Sequence, residues 1–193
     1  MVRTSVSVLW DDLEEPDMEA LASNDLDACF NGILRHIWCA SGEVYNTEEI
    51  SIFYRTRSQR PDTDPGYILD YTSDSRYGTG PSLKGQFIGV TFHRIEVLPV
   101  AYAIRSDFMD KNTHHLRSFA FQARASPSSA WITLDEQVKI NDLIPAKSHF
   151  LGFVDTDEYF CEFRILQTGP SHTNYLSFNI AGLEIHGLVR RRS

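Results

Sequence analysis

The chain has 193 residues, 42% hydrophobic and 23% charged, a make-up that suits one generous globular domain with a real core. It contains no long uninterrupted apolar run, so no membrane span is expected. The net charge of −8 leaves no dominant basic face, which argues against nucleic acid as a partner.

The opening segment MVRTSVSVLWDDLEEPD lacks the apolar stretch of a signal peptide and turns acidic at once, so the expected location is cytoplasmic. Within it, Thr4 to Trp10 alternates well enough for a short strand. Asp11, Asp12, Glu14, Glu15, Asp17, Glu19, Asp25 and Asp27 follow, opposed locally only by Arg3. They read either as a solvated arm or as a docking segment for a basic partner. Pro16 is placed to open a short helix through Met18, Leu21 and Ala22.

Asn31-Gly32 favours a turn, and Ile33 to Trp38 reads as a strand after it. Glu49 to Tyr54 is a second strand. From Arg55 to Lys84 the chain is polar and broken by Pro and Gly, the kind of long irregular segment that carries function. Gln86 to Phe92 alternates, Arg94 to Leu98 extends it, Pro99 ends it, and Val100 to Arg105 starts afresh. A polar loop leads to strands at Leu116 to Arg124 and Trp131 to Leu134, a less regular stretch with a helical turn from Asp135 to Ile144, and a strand from His149 to Val154. Tyr159 to Gly187 closes the series as strand, tight loop, strand. Many short strands with turn signals between them predict an all-β fold. The expected division is an acidic arm over 1–28, a β-sandwich over 29–189 and a basic tail over 190–193.

Cys29, Cys39 and Cys161 are an odd set without metal-type spacing and are expected as reduced thiols. The adjacent His114 and His115 point to opposite faces if extended, which spoils a zinc site. The Gly78–Gly85 run lacks the Gly-Lys-Ser/Thr ending of a phosphate loop, and no nucleophile elbow, zincin helix or dinucleotide fingerprint occurs. No enzyme activity, metal or cofactor is expected.

Three blocks carry a family likeness: VAYAIR after GVTF; LRSFAFQA followed by WITLD; and FRILQTGPS ending in LEIHG. Together they resemble the discoidin or coagulation factor 5/8 type C group of galactose-binding-like domains. That group shows "LRxWxxxGSxDGxxW", "FRIxQTGxNS" and a closing "LxGxExYG". The branch most similar is the intracellular one beside BTB and HECT domains and in protist proteins, where an "NGI" segment matches Asn31-Gly32-Ile33. Phe119 in place of Trp, Ser171-His172 in place of Asn-Ser, and the missing terminal cysteine pair are departures. The resemblance implies an antiparallel jelly-roll β-sandwich that is non-catalytic and binds through loops at one end. It also implies a structural role for Glu184, whose counterpart helps to hold calcium in bacterial relatives, although no companion ligand set is evident near Asn31.

The candidate contacts are loop residues: Arg57, Arg60, Arg76, Tyr77, Asp107, Asn112, His172 and Asn174. Trp131 is expected as a core plug between the sheets, and Arg164 as a buried paired residue or an outward-facing one. Arg and Tyr anchor protein interfaces, and aromatic, Arg, Asp and Asn side chains also suit sugars. The leading expectation is a protein-interaction or scaffold module within a larger intracellular assembly of cytoskeletal or ubiquitin-ligase type. The alternative is a carbohydrate-binding module that recognises glycans through the end loops.

Overall fold

The computed structural model describes residues 13, 15–60, 63–71, 76–80, 82–108, 114–144 and 146–192. The strand expected at Thr4 to Trp10 and the candidate Asn112 lie outside the described residues. Three short helices come first: α1 (Met18–Ala22), α2 (Leu26–Cys29) and α3 (Ile33–Ala40). The acidic residues have a local task here. Asp17 Oδ1 accepts the N–H groups of Glu19 and Ala20, and Asp25 Oδ1 accepts those of Asp27 and Ala28, so each caps the helix it precedes.

The remaining elements are β1 (Ile50–Tyr54), a 3-10 turn (Pro65–Leu69), β2 (Tyr77–Gly78), β3 (Phe87–Phe92), β4 (Ile95–Arg105), β5 (Phe119–Arg124), β6 (Ile132–Gln137), β7 (His149–Phe153), β8 (Glu162–Gln167), β9 (Asn179–Ile180) and β10 (Gly182–Arg191). They form a five-stranded sheet in the order β1-β3-β8-β5-β6, a three-stranded sheet β10-β4-β7 and a small pair β2-β9. All these named pairs are antiparallel, which makes the fold an all-β antiparallel sandwich.

The core lies between the two larger sheets. Tyr102 of β4 stacks on Phe121 of β5 at 4.1 Å, and Phe121 stacks in turn on Phe163 of β8 at 5.8 Å. Gly152 of β7 makes this possible, because a Cβ there would lie 2.3 Å from the Tyr102 ring. The Tyr102 hydroxyl donates to Asp135 Oδ2 at 2.6 Å, bonding the central strand of one sheet to the edge strand of the other. Burial first, then that carboxylate, raise the Tyr102 phenol above its ordinary range.

Four expectations from the sequence need correction. Ile33 to Trp38 is helical: Ile33, Leu34, Ile37 and Trp38 are buried on one face, a 3.6-residue pattern that an extended reading mistakes for alternation. Pro99 does not end a strand. It lies within the eleven-residue β4, opposite Gly187, next to the register shift between His186 and Gly187 in β10. The closing strands do not pair with each other either, since β8 belongs to the five-stranded sheet and β10 to the three-stranded one. Trp131 is not a plug between the sheets. It is half-buried just before the edge strand β6, and its ring lies 4.1 Å from Arg164 Cζ and 4.5 Å from Arg124 Cζ. Arg164 therefore faces outward from the sheet, with Nε and an Nη donating to Gln122 Oε1.

Glu184 joins the helices to the sheet. Its carboxylate, fully buried on β10, accepts the N–H groups of Leu34 at 2.7 Å and Arg35 at 2.9 Å, and that of Ile185 at 2.9 Å. The first turn of α3 thus receives its acceptor from a residue far along the chain, and Gly32 before it is small because a Cβ would lie 2.7 Å from the Ile185 carbonyl oxygen. Burial raises the Glu184 carboxyl, opposed by His186 and the three N–H donors. Replacing Glu184 with Ala leaves two helix N–H groups without this acceptor. It is expected to lower stability by about 3 kcal/mol in chemical denaturation, with Glu184→Gln, which keeps one acceptor oxygen, losing less.

Candidate functional site

The antiparallel registers bring four connections to one end of the sandwich. Tyr54 pairs with Ile88, Phe119 with both Gln167 and Gln137, and Arg105 with both His149 and Gly182. The described parts of the segments 55–86, 106–118, 138–148 and 168–181 therefore start and end at the same end of the sandwich. Backbone bonds tie them together: Lys147 N–H donates to Asp107 O, His172 N–H to His115 O, Asn179 N–H to His114 O and Thr168 N–H to Ser118 O.

Beneath these loops is a buried polar cluster centred on Asp107, whose side chain is 1% exposed. Its Oδ2 accepts from an Nη of Arg76 at 2.8 Å and from Asn179 Nδ2 at 3.1 Å, and its Oδ1 faces His115 Nε2 at 2.7 Å. The other ring nitrogen of His115 lies 3.1 Å from the Ile144 carbonyl. A carboxylate shared among three partners from separate segments fixes how the loops sit on the sheets.

Above the cluster the surface is formed by His114 and the 171–175 turn. His114 Nδ1 is 2.8 Å from Thr173 Oγ1, and its ring stands edge-on to Tyr175 at 5.1 Å. Tyr175 is held through its carbonyl, which accepts from Ser171 N–H at 2.8 Å and Gln167 Nε2 at 3.3 Å, while the residue is 55% exposed. Asn174 beside it is exposed and adopts a positive φ of 63°, which suits Asn in a tight turn. Burial lowers the His114 pKa. Asp107 opposes this, while Arg60, Arg76 and His115 add to it.

The residues proposed from sequence thus separate into groups. Asp107 and Arg76 lie under the loops, His172 and Asn174 lie in the turn, and Arg60 is exposed within electrostatic reach of His114. Arg57 is occupied at 3.5 Å by Asp64. Tyr77 is a correction: it is fully buried, packed at 6.0 Å on Phe178, and its hydroxyl donates to the Thr56 carbonyl, so it is a core residue and not a loop contact. His114 and Tyr175 were not among the candidates. The available signal for Tyr175 was its place directly after a turn-forming Asn. Among the described residues no group of His, Cys, Asp and Glu gathers as a metal set, and no helix is long and apolar enough to cross a membrane.

No family model matches the chain, and no curated protein matches it. Solved structures do. The family 32 carbohydrate-binding module from C. perfringens NanJ, in complex with galactose, is 11% identical with a TM-score of 0.56 over 73% of this chain and 93% of that one. The Clostridium perfringens module CpGH89CBM32-5, in complex with GalNAc-β-1,3-galactose, is 8% identical with a TM-score of 0.56 over 72% and 95%. Chitosan-binding module 2 of a chitosanase/glucanase from Paenibacillus sp. IK-5, in complex with chitotriose, is 10% identical with a TM-score of 0.54 over 72% and 97%. At such identities the likeness establishes the fold, a galactose-binding-like β-sandwich of the kind found in carbohydrate-binding modules. It also corrects the leading functional expectation. The neighbours are binding modules for sugars, which turns the balance from a protein-interaction scaffold to the carbohydrate alternative.

Removing the charge at the centre of the buried cluster tests its part in holding the loops. Asp107→Asn is expected to cost about 3–5 kcal/mol in chemical denaturation, the usual penalty for breaking one side of a buried ion pair. A loss below about 1 kcal/mol would mean that the loops are held by other contacts.

Proposed function

We propose that the chain is a non-catalytic carbohydrate-binding module that holds a sugar at the loop end of the sandwich. The observation that carries this reading is the pairing of Tyr175 with His114: an exposed aromatic ring beside an imidazole whose Nδ1 is fixed by Thr173, leaving Nε2 for a ligand hydroxyl. An aromatic face covers the C–H surface of a pyranose, and flanking donors select its hydroxyl pattern. Arg60 and Asn174 are the flanking polar groups. The module fold shared with galactose and chitosan binders supports the same reading.

The non-catalytic part rests on the cluster itself. His115 and Asp107 resemble two members of a hydrolytic triad, but His115 Nδ1 is occupied by the Ile144 carbonyl and Asp107 by Arg76 and Asn179. Both ring nitrogens of His115 are thus engaged, one by the Ile144 carbonyl and one by Asp107, so neither is left to take a proton from a nucleophile. An intracellular home, in the branch found beside BTB and HECT domains, belongs to the same proposal. It is supported by three unpaired cysteines, with burial pushing the Cys29 thiol up to about 11 and raising Cys161 as well. Cell fractionation tests it, and recovery only from secreted material would exclude it.

A glycan array followed by calorimetry tests the main reading. Binding to at least one galactose- or glucosamine-containing oligosaccharide is expected, and Tyr175→Ala should weaken it about tenfold, or ~1.4 kcal/mol, without moving the melting temperature. A blank array with the folded protein would sink the proposal.

A further inference from the structure

In the galactose-binding-like domains that this chain resembles, the counterpart of Glu184 helps to hold calcium, so the surroundings of this carboxylate decide whether an ion fits. Calcium takes about six to eight oxygen atoms at roughly 2.3–2.6 Å. What converges on Glu184 is the opposite chemistry. Oε1 accepts the N–H groups of Leu34 at 2.7 Å and Ile185 at 2.9 Å, and Oε2 accepts that of Arg35 at 2.9 Å. Leu34 and Arg35 belong to the first turn of the eight-residue α3, whose own Gly32 offers no side-chain cap. The carboxylate therefore rests against the positive end of a helix, where a further cation is repelled.

The space is closed as well. Glu184 is 1% exposed, and a Cβ on Gly32 would already lie 2.9 Å from its Cγ and Cδ. Carbonyl oxygens around it are turned to other donors. Cys29 O accepts from His186 Nε2 at 2.9 Å, and Gly32 O accepts from the N–H of His36 at 3.1 Å. Among the described residues no group of three His, Cys, Asp or Glu gathers around a common point. The residues present do not fit calcium.

We propose that the start of α3 takes the place of a metal ion in this chain. The N–H groups of Leu34, Arg35 and Ile185 supply Glu184 with the positive partner that calcium would otherwise be, and the domain keeps its fold without a divalent cation there. Such charge-assisted bonds satisfy the carboxylate and two orphan donors of the helix together. The substitute is part of the chain, so a chelator cannot remove it. It also ties α3 to a residue 150 positions further on, because a carboxylate stripped of water needs its donors in place. This inference stands apart from the sugar reading.

Melting of the full chain in EDTA, in about 5 mM calcium chloride and in equimolar magnesium chloride is the first test, a concentration that fills even a weak calcium module. The wild type should melt within about 1 °C in all three, whereas a filled site would raise melting by roughly 2–9 °C. Amide hydrogen exchange read by NMR is the second. In EDTA, the Leu34 and Arg35 amides should exchange about tenfold or more slowly than in Glu184→Ala, each taken relative to the core strand β8. Calcium that stabilises the wild type but not Glu184→Ala overturns the proposal, and so does unprotected exchange of both amides in EDTA. Calcium that stabilises both alike sits elsewhere and supports the assignment at Glu184. Should Glu184→Ala fail to fold, Glu184→Gln serves in its place, and the wild-type arms still decide. No sugar enters the test, so its outcome leaves the carbohydrate reading untouched.

Discussion

The contact between Tyr102 and Phe121 is the one on which the rest of the molecule depends. It joins the central strand of the three-stranded sheet to the five-stranded sheet by a face-to-face stack in the middle of the core, and the Tyr102 hydroxyl reaches Asp135 on the far edge. A ring that is fully buried and hydrogen-bonded at its tip has one position, so it fixes the spacing and the relative orientation of the layers together. Gly152 is the concession made to it, a residue without a side chain where the ring passes. With the layers set, antiparallel pairing leaves no choice about where the long connections meet.

The two ends of the chemistry are built differently. Between the sheets, stability comes from aromatic packing that needs no charge. At the loop end, a carboxylate sealed from solvent organises Arg76, His115 and Asn179, three groups that apolar contacts alone do not hold in register. Burying such charges adds little net stability, but it defines a geometry. The outer face of the large sheet uses a third solution: the Trp131 ring against the guanidinium groups of Arg124 and Arg164, with Phe53 at 5.9 Å and Phe87 under Arg164.

Much of this was legible in the sequence because the strands that build the core alternate cleanly. Phe163 and Ile165 of β8, and Phe119 and Phe121 of β5, announce both their strands and their inward faces. The pattern failed where a second rule intervened. In Ile33–Ala40 the helical face happens to imitate alternation over a few residues, and the acceptor that starts the helix, Glu184, is 150 residues away. Pro99 reads as a breaker in isolation, yet a bulge at Val100 in its own strand, opposite His186 and Gly187, accommodates it. Trp131 reads as core by composition, and only the positions of Arg124 and Arg164 reveal that it lies outside. Of the candidate site, Asp107, His172 and Asn174 were visible as polar loop residues. The pairing of His114 with Tyr175 was not, because it joins segments that only the fold brings together.

The crossing from β8 to β10 has a mechanical meaning. Residues 168–181 are the covalent bridge by which the chain leaves one sheet and enters the other, and they carry the turn that presents Tyr175. A guest seated on that turn and on the neighbouring 106–118 segment would act as a brace across the seam, so that prising the layers apart would first require its eviction. On the proposed reading, binding at that turn would be coupled to the stability of the junction between the two sheets.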